Sequence, residues 1–149
     1  MEWNSPAIDW LRIWRNIATK KLSAKQWMTL YLLVNGKTEH RALLFVMQRV
    51  DSANCEHCDI GTAETLEHKF SACIRVAPAW MVLQQKLSGI CNGWRRFSFE
   101  DLMRPALQRQ NFQKRVQILK LFYKYIDCVN KNNGRIDVLE LNFLLNIEI

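Results

Sequence analysis

No stretch of this chain approaches the roughly 20 consecutive apolar residues that a membrane-spanning helix requires. The longest predominantly apolar runs, residues 27–34 and 42–47, stop well short. The N-terminal MEWNSPAIDWLRIWRN carries charges through its apolar positions and lacks both the basic-then-apolar order and the small-residue cleavage site of a secretion signal. An intracellular protein, nuclear or cytoplasmic, soluble and without a membrane partner, is the expectation. Internal repeats and low-complexity tracts are also missing, which excludes a solenoid and gives no ground for disorder. There is no glycine-rich phosphate loop, no Ser-His-Asp pattern and no alternating apolar-polar run that would make a sheet.

What is present is a globular composition, 49% hydrophobic, on 149 residues. That length buries a core without disulfides, and it predicts one domain spanning residues 1–149. The fold class expected is all-α. Ser5 and Pro6 suit the cap and first position of a helix whose Ala7, Trp10, Leu11, Trp14, Ile17 and Ala18 recur at helical spacing. Ser23 caps a second helix that ends at Gly36, and Thr38 a third that runs to about Arg49. A fourth starts either at Ala72 or, because of Pro78, near Ala77, and reaches about Leu87. SGICNGW reads as a loop, Ser98 opens a short helix ending near Arg104 and Pro105, and residues 111–130 form the longest periodic segment. Its stripe is Phe112, Val116, Leu119, Phe122 or Tyr123, Ile126 and Val129, and its other face carries Lys114, Arg115, Lys120 and Lys124. Asn132-Asn133-Gly134 stops it, and Asp137 caps a last helix through Leu145.

Three of the five cysteines and two of the three histidines fall in CEHCDIGTAETLEHKFSAC. Cys55-x2-Cys58, nine residues, His68, four residues, Cys73 is a spacing that suits one structural Zn²⁺ held by three thiolates and an imidazole. Such a site leaves no open position for a reacting water, so the metal holds a shape. The competing readings are buried free thiols, or a redox Cys-x-x-Cys, which lacks here its usual strand-helix neighbourhood. His57 could replace a ligand, although its place between two cysteines on a tight turn points it outward. Cys91 and Cys128 read as core thiols, and His40 receives no role.

Cys55, Cys58, Glu64-Thr65, His68, Cys73 and Trp80 follow an order that resembles the zinc-binding region at the C-terminal end of reverse transcriptases from non-LTR retrotransposons. Upstream, Ile13-Trp14, Trp27, Asn35-Gly36 and Leu43 or Leu44 fit the same pattern, so the resemblance covers about residues 10–85. A basic C-terminal helical part, about residues 98–146, follows. The resemblance implies a zinc loop between N-terminal and C-terminal helices and nucleic-acid handling during target-primed reverse transcription. It also implies that Glu64 and Thr65 orient the turn bearing His68, a carboxylate or carbonyl accepting from its second ring nitrogen; alternatively Glu64 caps the following turn. Neither a polymerase palm with paired aspartates nor an endonuclease constellation fits this length. Tyr125-Ile126-Asp127-Cys128 mimics a polymerase Tyr-x-Asp-Asp hairpin, but its second Asp is a Cys and its surroundings are helical. The chain is not expected to be an enzyme.

The net charge is +7, and residues 104–135 hold eight basic residues against one acid, Asp127. Arg109, Lys114, Arg115, Lys120, Lys124 and Lys131, with Arg95 and Arg96 beside Trp94 and helped by Lys20, Lys21 and Lys25, form a candidate surface for sequence-independent binding of RNA or DNA. The bland alternative is the solvated face of an amphipathic helix. Of the six tryptophans, Trp10, Trp14, Trp27 and Trp80 are expected in the core, and Trp3 and Trp94 on a surface that a protein partner could cover. Two functions compete: a nucleic-acid-binding module, or a protein-interaction adaptor (or non-functional retroelement fragment) that keeps only the zinc scaffold.

Overall fold

The computed structural model of the chain describes residues 8–58, 61–91, 96–132 and 136–146. Among them are eight helical elements and no strand: α1 Trp10–Ile17, α2 Ala24–Val34, α3 Arg41–Val46, a π-helical turn His68–Ala72, α4 Ala77–Ile90, α5 Phe99–Met103, α6 Phe112–Lys131 and α7 Val138–Asn146. The architecture is the all-α one expected, with the Cys and His cluster between helices. Ser5, Pro6, Trp3, Trp94, Arg95, Asn133, Gly134 and Arg135 lie outside the described residues.

Local chemistry explains most boundaries. Ser23 and Gln26 form a reciprocal capping box that satisfies two orphan N–H groups of α2, and Ser98 with Asp101 does the same for α5. Gly36 takes a left-handed φ of 68° after α2, and the Lys37 and Gly36 N–H groups reach back to the Leu32 and Leu33 carbonyls at 2.8 and 3.0 Å. Asn111 caps α6 through the Lys114 N–H, and Asp137 caps α7 through Leu139 and Glu140. Pro78 sits in the first turn of α4, where its missing N–H costs nothing, which selects the start at Ala77. Gly89 and Ile90 belong to the end of α4, not to the loop expected there.

Two helices differ from expectation. α3 is six residues long rather than reaching Arg49, because Gln48 adopts φ 59° and the Gln48 and Arg49 N–H groups close back on Phe45 and Leu44. Its cap position is His40, with Thr38 buried beneath and its carbonyl 2.7 Å from His40 Nδ1. α1 is capped by Asp9 and turns Ile13, Asn16 and Ile17 inward. Trp10 is 42% exposed and Leu11 62%, against 1% for Ile13, so the inward stripe is rotated from the one expected. Trp14 and Trp27 are half-buried against the core, and of the four expected core tryptophans Trp80 is the buried one. The rotation follows from ring packing: Trp10 stacks on Trp14, and Trp14 lies against Tyr31 of α2, so the indoles cover the flank between the helices.

The core is one cluster centred on α6, whose Ile118, Leu119, Leu121, Phe122, Tyr125, Ile126 and Val129 are all buried. α1, α2, α4 and α7 pack against it, α4 also against α7, and this two-sided cover makes its buried face wider than the single stripe read from the sequence. Phe112 lies beyond that cover, 51% exposed. Long polar side chains tie the joints: Asn16 Nδ2 donates to the Pro105 and Ala106 carbonyls at 2.8 and 2.9 Å, and Gln84 pairs with both backbone groups of Phe97. The Tyr125–Cys128 segment is interior helix, Tyr125 fully buried and Asp127 paired to Lys131 at 2.8 Å. Cys91 is buried and Cys128 half-buried against the core, and burial raises both thiols.

Candidate metal centre

The cluster is assembled from a loop and a turn. The loop is held by an isolated antiparallel bridge, Asn54 to Ala63, in which Cys55 N–H donates to Thr62 O and Glu64 N–H to Ala53 O, both at 2.8 Å. Gly61 supplies the left-handed residue of the return, φ 59°. This places Cys55 and Cys58 on one side. His68 and Cys73 come from the π-helical turn, and the geometry explains why that turn is not α-helical. Residues five apart on an α-helix point roughly 140° from one another. Widening the turn, so that Cys73 N–H donates to His68 O at 2.8 Å, returns the fifth residue toward the face of the first.

The four donor atoms lie within 4.8 Å of one another. Cys55 Sγ is 3.6 Å from Cys73 Sγ, Cys58 Sγ is 3.7 Å from Cys73 Sγ, and Cys58 Sγ is 3.5 Å from His68 Nε2. A disulfide needs sulfurs at about 2.05 Å, so these pairs are not bonded to each other. A tetrahedral ion with metal–sulfur bonds of about 2.3 Å and a metal–nitrogen bond of about 2.05 Å sets S···S edges of about 3.8 Å and S···N edges of about 3.6 Å. The three close pairs fall within about 0.2 Å of those edges, and the cluster can hold one metal ion.

Electrostatics agree. Burial pushes the Cys73 thiol up to about 12, opposed by the Arg75 backbone N–H and reinforced by hydrogen bonds with Cys55 and Cys58. A divalent ion would supply the positive charge that the buried Cys73 sulfur needs in order to give up its proton. The His57 N–H points to Cys55 Sγ at 3.4 Å, so this histidine serves the site through its backbone.

Thr65 Oγ1 accepts from His68 N–H at 3.2 Å and thereby caps the turn that carries the imidazole. The Glu64 carboxylate accepts from Arg41 N–H at 2.8 Å and the Glu64 carbonyl from Ala42 N–H at 3.1 Å, so Glu64 clips the start of α3 onto the metal loop. Arg41 reciprocates, reaching Glu56 at 2.7 Å and the Ser52 carbonyl at 3.0 Å. Opposite, Tyr125 O–H donates to Phe70 O from inside the core, and the buried Arg75 donates to Asn132 O.

The basic residues do not share one face. At roughly 100° per residue, Lys120, Lys124 and Lys131 fall within about 40° of each other on α6, with Arg115 on the far side and Lys114 between. Lys124 reaches the Leu144 carbonyl at 3.4 Å, Lys131 pairs with Asp127 within α6, and both lysines line a cleft with Glu140 and Leu144 of α7. Arg96 and Arg109 are exposed, Arg109 with φ 67°. Arg115 instead joins Arg12 and Arg15 around a cleft of about 320 Å³ between α1 and α6, a grouping that sequence separation hides. No described helix is long and apolar enough to cross a membrane. No protein-family model, no curated protein and no solved structure matches the chain.

Proposed function

We propose that this chain is a non-catalytic, zinc-stapled module that binds nucleic acid, similar to the C-terminal zinc-binding region of a retroelement reverse transcriptase. The observation that carries the reading is the four-donor cluster: three sulfurs and one ring nitrogen within 4.8 Å of one another, in the ligand order of that region. With every position filled by protein, the ion has no vacancy at which to activate water, and its work is to fix the loop against the core. A net charge of +7 suits a polyanion partner.

Purified protein is expected to carry one zinc per chain by elemental analysis, and Cys55→Ser to carry none. The wild-type chain is expected to bind single-stranded RNA or DNA with an affinity that falls steeply as salt rises, since each neutralised phosphate releases counterions. Failure to bind any oligonucleotide at low salt removes the reading. The second reading, a protein-interaction adaptor, is favoured by the exposed Trp10 and Tyr31 at 42% and 38%. It would be supported by a defined partner that survives nuclease treatment, together with that failure.

A further inference from the structure

We infer that α1 and α2 carry a track for an unpaired nucleic-acid strand, with bases stacked on Trp10 and Tyr31 and phosphates held by Arg12, Arg15 and Arg115. The inference rests on the proposed nucleic-acid reading and moves its site from the lysines of α6 to the cleft between α1 and the first turn of α6 and the rings beside it.

Four rings form a continuous series across the two helices. Trp10 and Trp14 stack with centroids 6.2 Å apart and planes at 21°, Trp14 meets Tyr31 at 5.6 Å, and Tyr31 stacks on Trp27 at 5.0 Å and 20°. Trp14 and Trp27 anchor the series against the core, while Trp10 and Tyr31 are its exposed members, Tyr31 between the two anchors and Trp10 with the Arg104 guanidinium over its ring at 5.6 Å, which an entering base would displace. The outward rings are therefore rigidly backed, which lowers the ordering cost of stacking a ligand on them.

Beside this series lies the cleft of about 320 Å³ lined by Arg12, Arg15, Arg115, Asn16, Asp9 and Leu11. Three guanidiniums from two helices converge there, and the single carboxylate among them, Asp9, reaches Arg12 at a loose 3.7 Å. Arg115 spends one donor on the Gln110 carbonyl and lies over the Phe112 ring at 5.8 Å, which fixes its direction. An anion with several oxygens, such as a phosphodiester, answers the remaining donors in a way an apolar partner cannot. On α1 the arginines sit roughly 100–160° around from the indoles, so charge and stacking surface are separated by about one helix width, 10–12 Å, which a short oligonucleotide spans. Only an unpaired strand frees base faces for the rings; a duplex keeps them stacked internally. An acidic peptide would satisfy the arginines but leave the rings without a matching planar partner.

The test compares a fluorescein-labelled dT12, a dT12 whose central positions are abasic, and a duplex of equal length, titrated with zinc-loaded full chain across salt. The abasic strand keeps the phosphates and loses the stacking. Expected are binding of dT12 about ten-fold tighter than the abasic strand, loss of that difference in Trp10→Ala with Tyr31→Ala, and its partial return in Trp10→Phe. Replacing Arg12, Arg15 and Arg115 by Gln is expected to lower the salt slope by about 2, while Lys120→Gln with Lys124→Gln stays within about two-fold of wild type. Equal binding of dT12 and its abasic form, or an unchanged slope in the arginine variant, overturns this site while leaving nucleic-acid binding in place. No binding by the wild type overturns both, and dispersal of a wild-type dimer by Trp10→Ala, seen by sedimentation, would assign the track to a second copy instead. Zinc content equal to wild type shows that each variant is folded around its metal.

Discussion

Tyr125, in the middle of α6, donates its hydroxyl hydrogen to the carbonyl of Phe70, which lies between the His68 and Cys73 ligands on the π-helical turn. The core supplies a donor to a carbonyl of the widened turn. Metal loop and hydrophobic core are thus joined through one buried phenol, whose ionisation burial pushes far upward.

Tyr125→Phe should therefore cost more than its lost oxygen implies. The ring still packs, but the Phe70 carbonyl is left buried and unpaired, a loss of about 1–3 kcal/mol. Urea unfolding of the zinc-loaded chain should show a lower midpoint at unchanged slope. An unaltered midpoint would mean that water or a neighbour replaces the phenol.

Glu64 links the metal loop to α3, and its substitution should register in both. Glu64→Ala removes the acceptor for Arg41 N–H and a negative charge at a helix start, a cost of about 1 kcal/mol, while Glu64→Gln keeps an acceptor and should lose less. Chelator competition should show zinc binding weakened in the same order. Equal stability of the two variants would assign the effect to charge alone.

Removing the metal exposes a pH dependence with a definite sign. In the metal-free chain the folded Cys73 holds its proton up to about 12, above the ordinary 9.0. Between those values the folded state binds more protons than the unfolded state, so stability falls as pH rises from about 9 towards 12. The zinc-loaded chain should behave oppositely in acid, losing metal as pH falls because thiolates and imidazole take up protons. Melting temperature followed with and without chelator over both ranges checks the pair.

Gln48 occupies a left-handed conformation at the end of α3, φ 59°, that a side chain resists. Gln48→Gly should raise stability by about 1 kcal/mol, or a few degrees in melting temperature, because glycine meets no Cβ penalty there. A destabilised variant would show that the glutamine side chain makes a compensating contact.

The candidate metal cluster was legible because tetrahedral coordination restricts spacing: Cys55, Cys58, His68 and Cys73 could be read as a set before any helix was placed. Caps at Ser23, Ser98 and Asp137 were legible for the same reason, a short-range rule acting within three residues. Trp10 and Trp14 were not. On an eight-residue helix they and Ile13 and Ile17 form one continuous apolar arc, and which end turns inward is decided by α2 and α6. The early end of α3 had no glycine to announce it. Arg115 meets Arg12 and Arg15 across a hundred positions of sequence, so helical periodicity within either segment says nothing of their meeting, and the lysine row of α6 read as one surface until its turn toward α7 was visible. Arg95 lies outside the described residues.

The π-helical turn makes the site more sensitive to chain length than to composition. The number of residues between His68 and Cys73 sets the turn, since removing Lys69, Ser71 or Ala72 would let the backbone relax to ordinary pitch and leave His68 and Cys73 four positions apart on a narrower coil. The sulfur would still lie near the imidazole, but Phe70 would lose its register against Tyr125, and a deletion that spares all four ligands would uncouple the metal from the core.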